Sequence, residues 1–402
     1  MEQIRTRSMR CRGNEFLTIV SVMFVLHISA YSWGYIAFYG ITILMIVRIG
    51  SKIQTNLMKN YFNLFFIPYI MILMHAFINM FIYHETFFAF RALNNFVHAV
   101  SYILFAYCFY ILHGNGSIRI ILDGAVSYYM IKLIEAFIFV GPIDFMKNIL
   151  IPGSVVLTKW LEAHDIGLSF GSILLYYFFY EKYPYKRRKI LVIASSVIFY
   201  LCWKRIAIAA FLVCAVFIVL FNKILDKKKR CITLWGIIGV MICLAYVYLI
   251  KSEMLIGWFN DKGINTQGRN SLYRFIEHYY QFSLRFWGRG DGYTGKLLTD
   301  LARSGNGIGK IVALHSDILR AFVEYGFLGS ILWYSYYLIY LPGKFKRKNR
   351  KMCELLFVMA MYLFIIYLTD NASGYMLCQI LYILLPLQYA VKENKVVTDK
   401  YG

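Results

Sequence analysis

The sequence predicts an all-α polytopic membrane protein, and three observations carry that prediction. Of its 402 residues 60% are apolar and only 16% charged, with a mean hydropathy of +0.57, far oilier than an ordinary soluble domain. The apolar residues fall in runs, about twelve of which approach the roughly 20 residues needed to span hydrocarbon. The 43 Lys and Arg, against 21 Asp and Glu, gather in short runs at alternate junctions between those segments, which is the inside-positive pattern.

The segments lie near 16–31, 34–49, 61–83, 88–112, 118–141, 166–181, 190–203, 206–222, 231–250, 319–341, 354–368 and 375–391. A basic start followed by an apolar run resembles a signal peptide, but a second apolar run follows with no small-residue cleavage site, so the first two segments read as a retained helical hairpin. The basic runs are Arg5, Arg7, Arg10 and Arg12; Arg48, Lys52 and Lys59; Lys182 with Lys186 to Lys189; Lys223 with Lys227 to Arg230; and Lys344 with Lys346 to Lys351. They place both termini in the cytoplasm. The net charge of +22 is thus a matter of topology and of contact with membrane lipids, and implies no nucleic acid. Aromatic clusters at Tyr176–Tyr180 and Trp333–Tyr340 suit the two membrane interfaces. All eight cysteines fall in predicted helices or at cytoplasmic ends, so no disulfide framework is indicated. Within 118–141, Lys132 and Glu135 are three residues apart and can pair on one helix face.

The chain reads as one integral membrane domain, 1–402, with two external loops. The first, 142–165, carries Asp144, Lys147, Lys159, Glu162 and His164; the second, 251–318, is larger and is where chemistry is expected. Inside it Leu272, Phe275, Ile276, Tyr279, Phe282 and Phe286 recur at helical spacing opposite Asn270, Arg274, Glu277, His278, Gln281 and Arg285. This predicts an amphipathic helix at the outer surface, with Asn270 as its cap and Arg269 at its start. The glycine-rich Ser304–Gly309 leads to His315, and a helix begins near Ile318 with His315 or Asp317 as its cap.

Three side chains on the external side stand out. Arg205 follows a helix end and opens the next apolar run, where a cation is costly unless it snorkels or is paired; the neighbouring Lys204 reads as a snorkelling cation. Arg269 alone is an ordinary loop cation, and His315 alone a helix-end residue. Together they set two guanidiniums, suited to a bidentate hold on phosphate, beside an imidazole that titrates near neutral pH. Asp370 and Asn371, in the short turn 370–374, join Arg274 and Arg289 as candidates for contact with a polar substrate. The chain has no Walker motif, dinucleotide fingerprint, HExxH or Asp-x-Asp pair, so no cofactor or metal is implied.

These residues resemble the O-antigen polymerase and O-antigen ligase superfamily. The carriers are Arg205 in Trp203-Lys204-Arg205-Ile206-Ala207, the Gly268-Arg269 pair, the glycine run, and His315 ahead of Leu319, Glu324, Gly326 and Gly329. Two departures are Lys204, where a small polar residue is common, and Ser316, where Asn is common. The resemblance implies a GT-C-like helical fold and a metal-independent, inverting glycosyltransferase of the bacterial inner membrane, with its active site on the periplasmic face. It also implies an undecaprenyl-diphosphate-linked oligosaccharide as substrate, with Arg205 and Arg269 at the diphosphate and His315 as general base or acceptor-orienting group. A repeat-unit polymerase, with a chain-length regulator as partner, is the first expectation. A ligase transferring finished glycan is the alternative within the family. A lipid-linked oligosaccharide flippase is the alternative from another class, although its charges should line a central path rather than gather in one loop.

Overall fold

The structure is a computed structural model that describes residues 15–27, 34–49, 56–83, 86–151, 154–181, 188–224, 231–263, 266, 268–303, 313–347 and 349–401. The arginines at 5–12, most of the basic runs at 182–189 and 223–230, and the glycine run 305–309 lie outside the described residues. The described chain is helical and contains no strand. In order, its helices are α1 (Glu15–His27), α2 (Gly34–Ile49), α3 (Asn56–Tyr83), α4 (Thr86–His113), α5 (Ser117–Val140), α6 (Pro142–Asn148), α7 (Val155–Leu161), α8 (His164–Phe179), α9 (Arg188–Leu201), α10 (Arg205–Ile224), α11 (Cys231–Lys251), α12 (Met254–Asp261), α13 (Arg269–Glu277), α14 (Tyr293–Arg303), α15 (Asp317–Ser335), α16 (Leu341–Phe345), α17 (Arg350–Tyr367) and α18 (Met376–Tyr401).

Over its described residues each apolar run of the sequence falls on a helix. Among the described residues three stretches are long and apolar enough to cross a membrane, Asn60–Ile82, Phe90–Val140 and Ile232–Lys251, and the second is α4 and α5 joined through the tight turn Gly114–Gly116. Glu15–His27, Gly34–Ile49, Lys189–Leu201, Arg205–Leu220 and Met376–Tyr389 are shorter apolar helices. Residues 142–165, read from the sequence as a loop, contain two short helices, α6 and α7.

The chain divides into two compact units. The first comprises residues 1–62, 101–211 and 375–402. Here α8 packs on α9 and α18, and α5 on α7. The Asp165 carboxylate accepts the Leu377 N–H at 3.0 Å and so satisfies an orphan donor at the start of α18. Lys132 pairs with Glu135 at 3.0 Å, as their spacing predicts, and Arg119 pairs with Glu15 at 2.7 Å.

The second unit comprises residues 63–100 and 212–374, in which α11 packs along α15. Proline at position 68 removes the N–H that Leu64 would bond within α3, and the Tyr336 hydroxyl donates to that freed carbonyl instead. Helix α15 is broken: Gly326 has φ 72° and ψ −173°, outside helical geometry. The open ends are filled by residues 286–290, whose Arg289 and Gly290 N–H groups bond the Val323 and Glu324 carbonyls at 2.9 Å while the Phe286 carbonyl accepts from Phe327 at 2.9 Å. Irregular backbone is thus satisfied by protein on both sides, as a membrane setting demands. A Cβ at position 326 would lie 2.2 Å from the Trp287 carbonyl carbon, so only glycine fits.

That insertion overturns one expectation. The amphipathic helix stops at Glu277 rather than continuing through Phe286, because the following backbone is committed to α15. Phe282 and Phe286 pack on Phe322, with ring centroids 5.5 and 5.9 Å apart, so they face protein rather than the outer membrane surface. Beside the break an apolar cavity of about 350 Å³ is lined by Met71, His75, Trp287, Tyr325, Leu332 and Trp333 among others. His75 Nε2–H donates to the Trp287 carbonyl at 3.1 Å, anchoring the inserted loop to α3.

Candidate functional site

In the second unit, Arg269, His315 and the 370–374 turn are drawn together by α13, the start of α15 and the end of α17. Gly268, at φ 81°, turns the chain into α13 and its carbonyl opens the helix, so the cap is Gly268 and not Asn270. Asn270 sits in the first turn and donates to Asn260 Oδ1 at 2.9 Å. Leu272, Tyr273 and Ile276 form the buried face of α13, and the Lys251 ammonium at the end of α11 donates to the Glu277 carbonyl at 2.8 Å. Arg269 is therefore held at the N-terminus of an anchored helix. The residue is half-buried, and no described carboxylate pairs with it.

His315 lies directly before α15 in a left-handed conformation, φ 52°, which costs a non-glycine residue roughly 1–2 kcal/mol. The cap is its neighbour Ser316, whose Oγ accepts from the Leu319 N–H at 3.2 Å; neither His315 nor Asp317 takes that part. Ser316 Oγ also donates to the Tyr367 carbonyl at 3.3 Å. Asp317 is fully buried, and its carboxylate accepts from the Ser373 N–H at 2.7 Å, the Ser373 hydroxyl at 2.8 Å and the Arg320 guanidinium at 3.0 Å. The Asp317 N–H donates to the Asp370 carbonyl at 3.3 Å. The residues on either side of the Asp370-Asn371 turn are thereby locked to the segment that carries His315.

A group of hydroxyls joins these parts. Tyr273, one turn along α13 from Arg269, donates to the His315 carbonyl at 3.4 Å and lies 3.3 Å from the Tyr246 hydroxyl on α11. Tyr246 donates to the Leu368 carbonyl beside the same turn. Burial raises the pKa of Tyr273, outweighing the opposing pull of Tyr246 and Arg269, so the hydroxyl stays protonated and able to donate. The Arg269 charge lowers and the Asp370 charge raises the pKa of that hydroxyl.

The other predicted residues sit in different local surroundings. Arg274 faces outward in an exposed ion pair with Glu253 at 3.5 Å. Arg289 donates through Nε to the Tyr279 carbonyl at 2.9 Å and braces the inserted loop. Asp370 is buried and accepts the Asn371 N–H at 2.8 Å. Arg205 belongs to the first unit, where it is exposed at the N-terminus of α10 with no described carboxylate paired to it. Lys204 corrects its reading as a snorkelling cation: it is buried and bonds Glu162 at 2.5 Å.

The arrangement also draws on Tyr246, Tyr273 and Arg320, which the sequence pattern does not single out. Tyr273 was findable, being four residues from Arg269 on the same helix face. Nothing marks Tyr246 among 34 tyrosines.

The fold and these residues define a helical membrane protein with a polar site built on broken and capped helix ends. Residues 190–334 match the family model described as O-antigen ligase. That match covers Arg205, Arg269 and His315, and it supports the resemblance to the O-antigen polymerase and ligase superfamily. No curated protein matches the chain.

Proposed function

We propose that the protein is a polysaccharide repeat-unit polymerase, transferring a glycan from polyprenyl diphosphate to a hydroxyl of a second lipid-linked unit. The observation that carries this reading is the half-buried Arg269, without a described carboxylate partner, on the helix whose next turn bonds the His315 peptide. A diphosphate leaving group already carries charge, so its departure needs a fixed cation more than an acid. Guanidinium supplies two parallel donors for it. The acceptor hydroxyl must lose a proton as the new bond forms, and the His315 imidazole is the group to take or orient it. Arg205 enters this reading from the sequence, as the second guanidinium for the diphosphate. Asp370 and Asn371 hold sugar hydroxyls. The reaction inverts the anomeric carbon without metal and takes place on the outer face of the membrane.

The ligase alternative uses the same groups with another acceptor, and the family description names that activity. The deciding experiment gives purified protein a synthetic polyprenyl-diphosphate repeat unit, with chelator present, in two reactions, one containing lipid A core. A ladder of lipid-linked repeats without core supports the polymerase; product only on the core makes it a ligase. Absence of transfer in both refutes glycosyl transfer, and activity abolished by chelator refutes the metal-free mechanism.

A further inference from the structure

We propose that α6 and α7 form a membrane-surface element. Its exposed apolar side lies in the phospholipid leaflet met by the C-terminal end of α5, with Lys147 and Lys159 at anionic headgroups. This holds whatever reaction the protein catalyses and whichever side of the membrane that end of α5 meets.

Position around each helix carries the inference. In α6 the buried Phe145 ring packs edge-on against Phe137 of α5, with centroids 5.5 Å apart, so that side faces protein. Asp144 and Asn148, four residues apart, share a second side that is polar. Ile143, Met146 and Leu150 recur at spacings of three and four on the remaining side, continuing into the turn after α6, and are 71, 65 and 72% exposed. In α7 Leu157 and Leu161 are buried, whereas Val155, at 89% exposure, faces outward with Val156 and Lys159. The turn between the helices is fixed by the Ser154 hydroxyl, which donates to Asn148 Oδ1 at 2.9 Å, and it exposes Ile151 as well as Leu150. Large apolar side chains are thus exposed in succession from Ile143 to Val156, as a water-facing loop would not tolerate.

What covers them follows from what adjoins and flanks them. Helix α5 ends with Ile134, Ile138 and Phe139 exposed, on the stretch Phe90–Val140 that is long and apolar enough to cross a membrane, and α6 packs back on α5. The lipid-facing surface of α5 therefore leads directly to the apolar side of α6. Lys147 stands at the margin of that side, four residues from Ile143 and three from Asp144. The Lys159 ammonium lies 5.1 Å from the centroid of the Trp160 ring. Lysine stems and tryptophan rings settle at the headgroup level with the charge toward phosphate. Glu162, the acid closest to Lys159 along the chain, is engaged by Lys204 at 2.5 Å. Two cations at the margin then favour an anionic headgroup.

The test places the full chain in nanodiscs of phosphatidylcholine, with and without phosphatidylglycerol, and attaches a nitroxide to Met146→Cys, Val155→Cys or Asp144→Cys in turn. The wild-type chain, in which Cys108, Cys202, Cys214, Cys243, Cys353 and Cys378 are buried, serves as the labelling blank. Collision of the label with oxygen, which concentrates among acyl chains, is compared with collision with a neutral nickel chelate, which stays in water. Labels at 146 and 155 are expected to favour oxygen several-fold and the label at 144 to favour nickel. Phosphatidylglycerol should withdraw the labels at 146 and 155 further from nickel, and Lys147→Gln combined with Lys159→Gln should abolish that response. Equal nickel access at all three positions overturns the proposal. Exclusion of both reagents at 146 and 155, with dipolar broadening that disappears on dilution by unlabelled chain, also overturns it, because a second copy then covers the stripe. Immersion indifferent to phosphatidylglycerol overturns the assignment of anionic headgroups. If a labelled variant does not accumulate, Ile143→Cys and Leu150→Cys read the same side and decide it by the same outcomes.

Discussion

Arg269 and His315 separate charge from geometry at the level of single side chains. Arg269→Lys keeps the charge but loses the planar fork, and loss of contacts of this kind commonly costs on the order of 10² to 10³ in rate; Arg205→Lys is expected to behave alike. Initial-rate assays on purified variants check this, and full activity of both would reduce the arginines to interface anchors. His315→Ala should leave the protein in the membrane at normal levels, since the residue fills little core, yet cells should accumulate single lipid-linked units in place of long polysaccharide. Gel analysis of glycans beside an immunoblot distinguishes that from loss of the protein. Lys204 behaves differently from the exposed cation beside it. Its ammonium is buried against Glu162, so Lys204→Gln should lower stability by about 1–2 kcal/mol, seen as a reduced thermal midpoint with transfer retained.

Helix breaks and caps, rather than continuous helices, position the chemistry. Hydropathy makes 319–341 one span, yet Gly326 divides α15 and residues 286–290 occupy the gap. Glu324, at the last turn before the break, accepts from the Thr294 N–H at 3.1 Å and so caps the start of α14, while Asp291 accepts from Asn95 at 2.8 Å and Tyr325 at 3.1 Å. The loop is thus fixed by carboxylates it buries with their donors in place. Gly326→Ala places a methyl against backbone and demands φ near 72° from alanine, so folded protein should fall sharply. Size-exclusion chromatography of the solubilised variant measures this, and a wild-type monodisperse peak would mean that the loop can withdraw from the break.

At the scale of the whole molecule, the basic runs make a topological prediction. A reporter fused at Lys262 should signal an external location and one at Arg347 a cytoplasmic location; a cytoplasmic signal at Lys262 would put the proposed active face on the wrong side. The positions of the apolar helices were legible in the sequence, because apolar runs of spanning length have few alternatives to helix in a membrane. So were the Lys132–Glu135 pair and the placement of Arg269 at a helix start, since both follow from spacing along a single helix. The end of α13 at Glu277 was not legible, because helical periodicity continues to Phe286 and only the backbone demand of broken α15 stops it. The burial of Lys204 on Glu162 and the hydroxyl contacts of Tyr246 and Tyr273 were likewise settled by tertiary structure. Each depends on a partner tens or more residues away, and a one-dimensional pattern records what a residue prefers but not which distant group arrives to satisfy it.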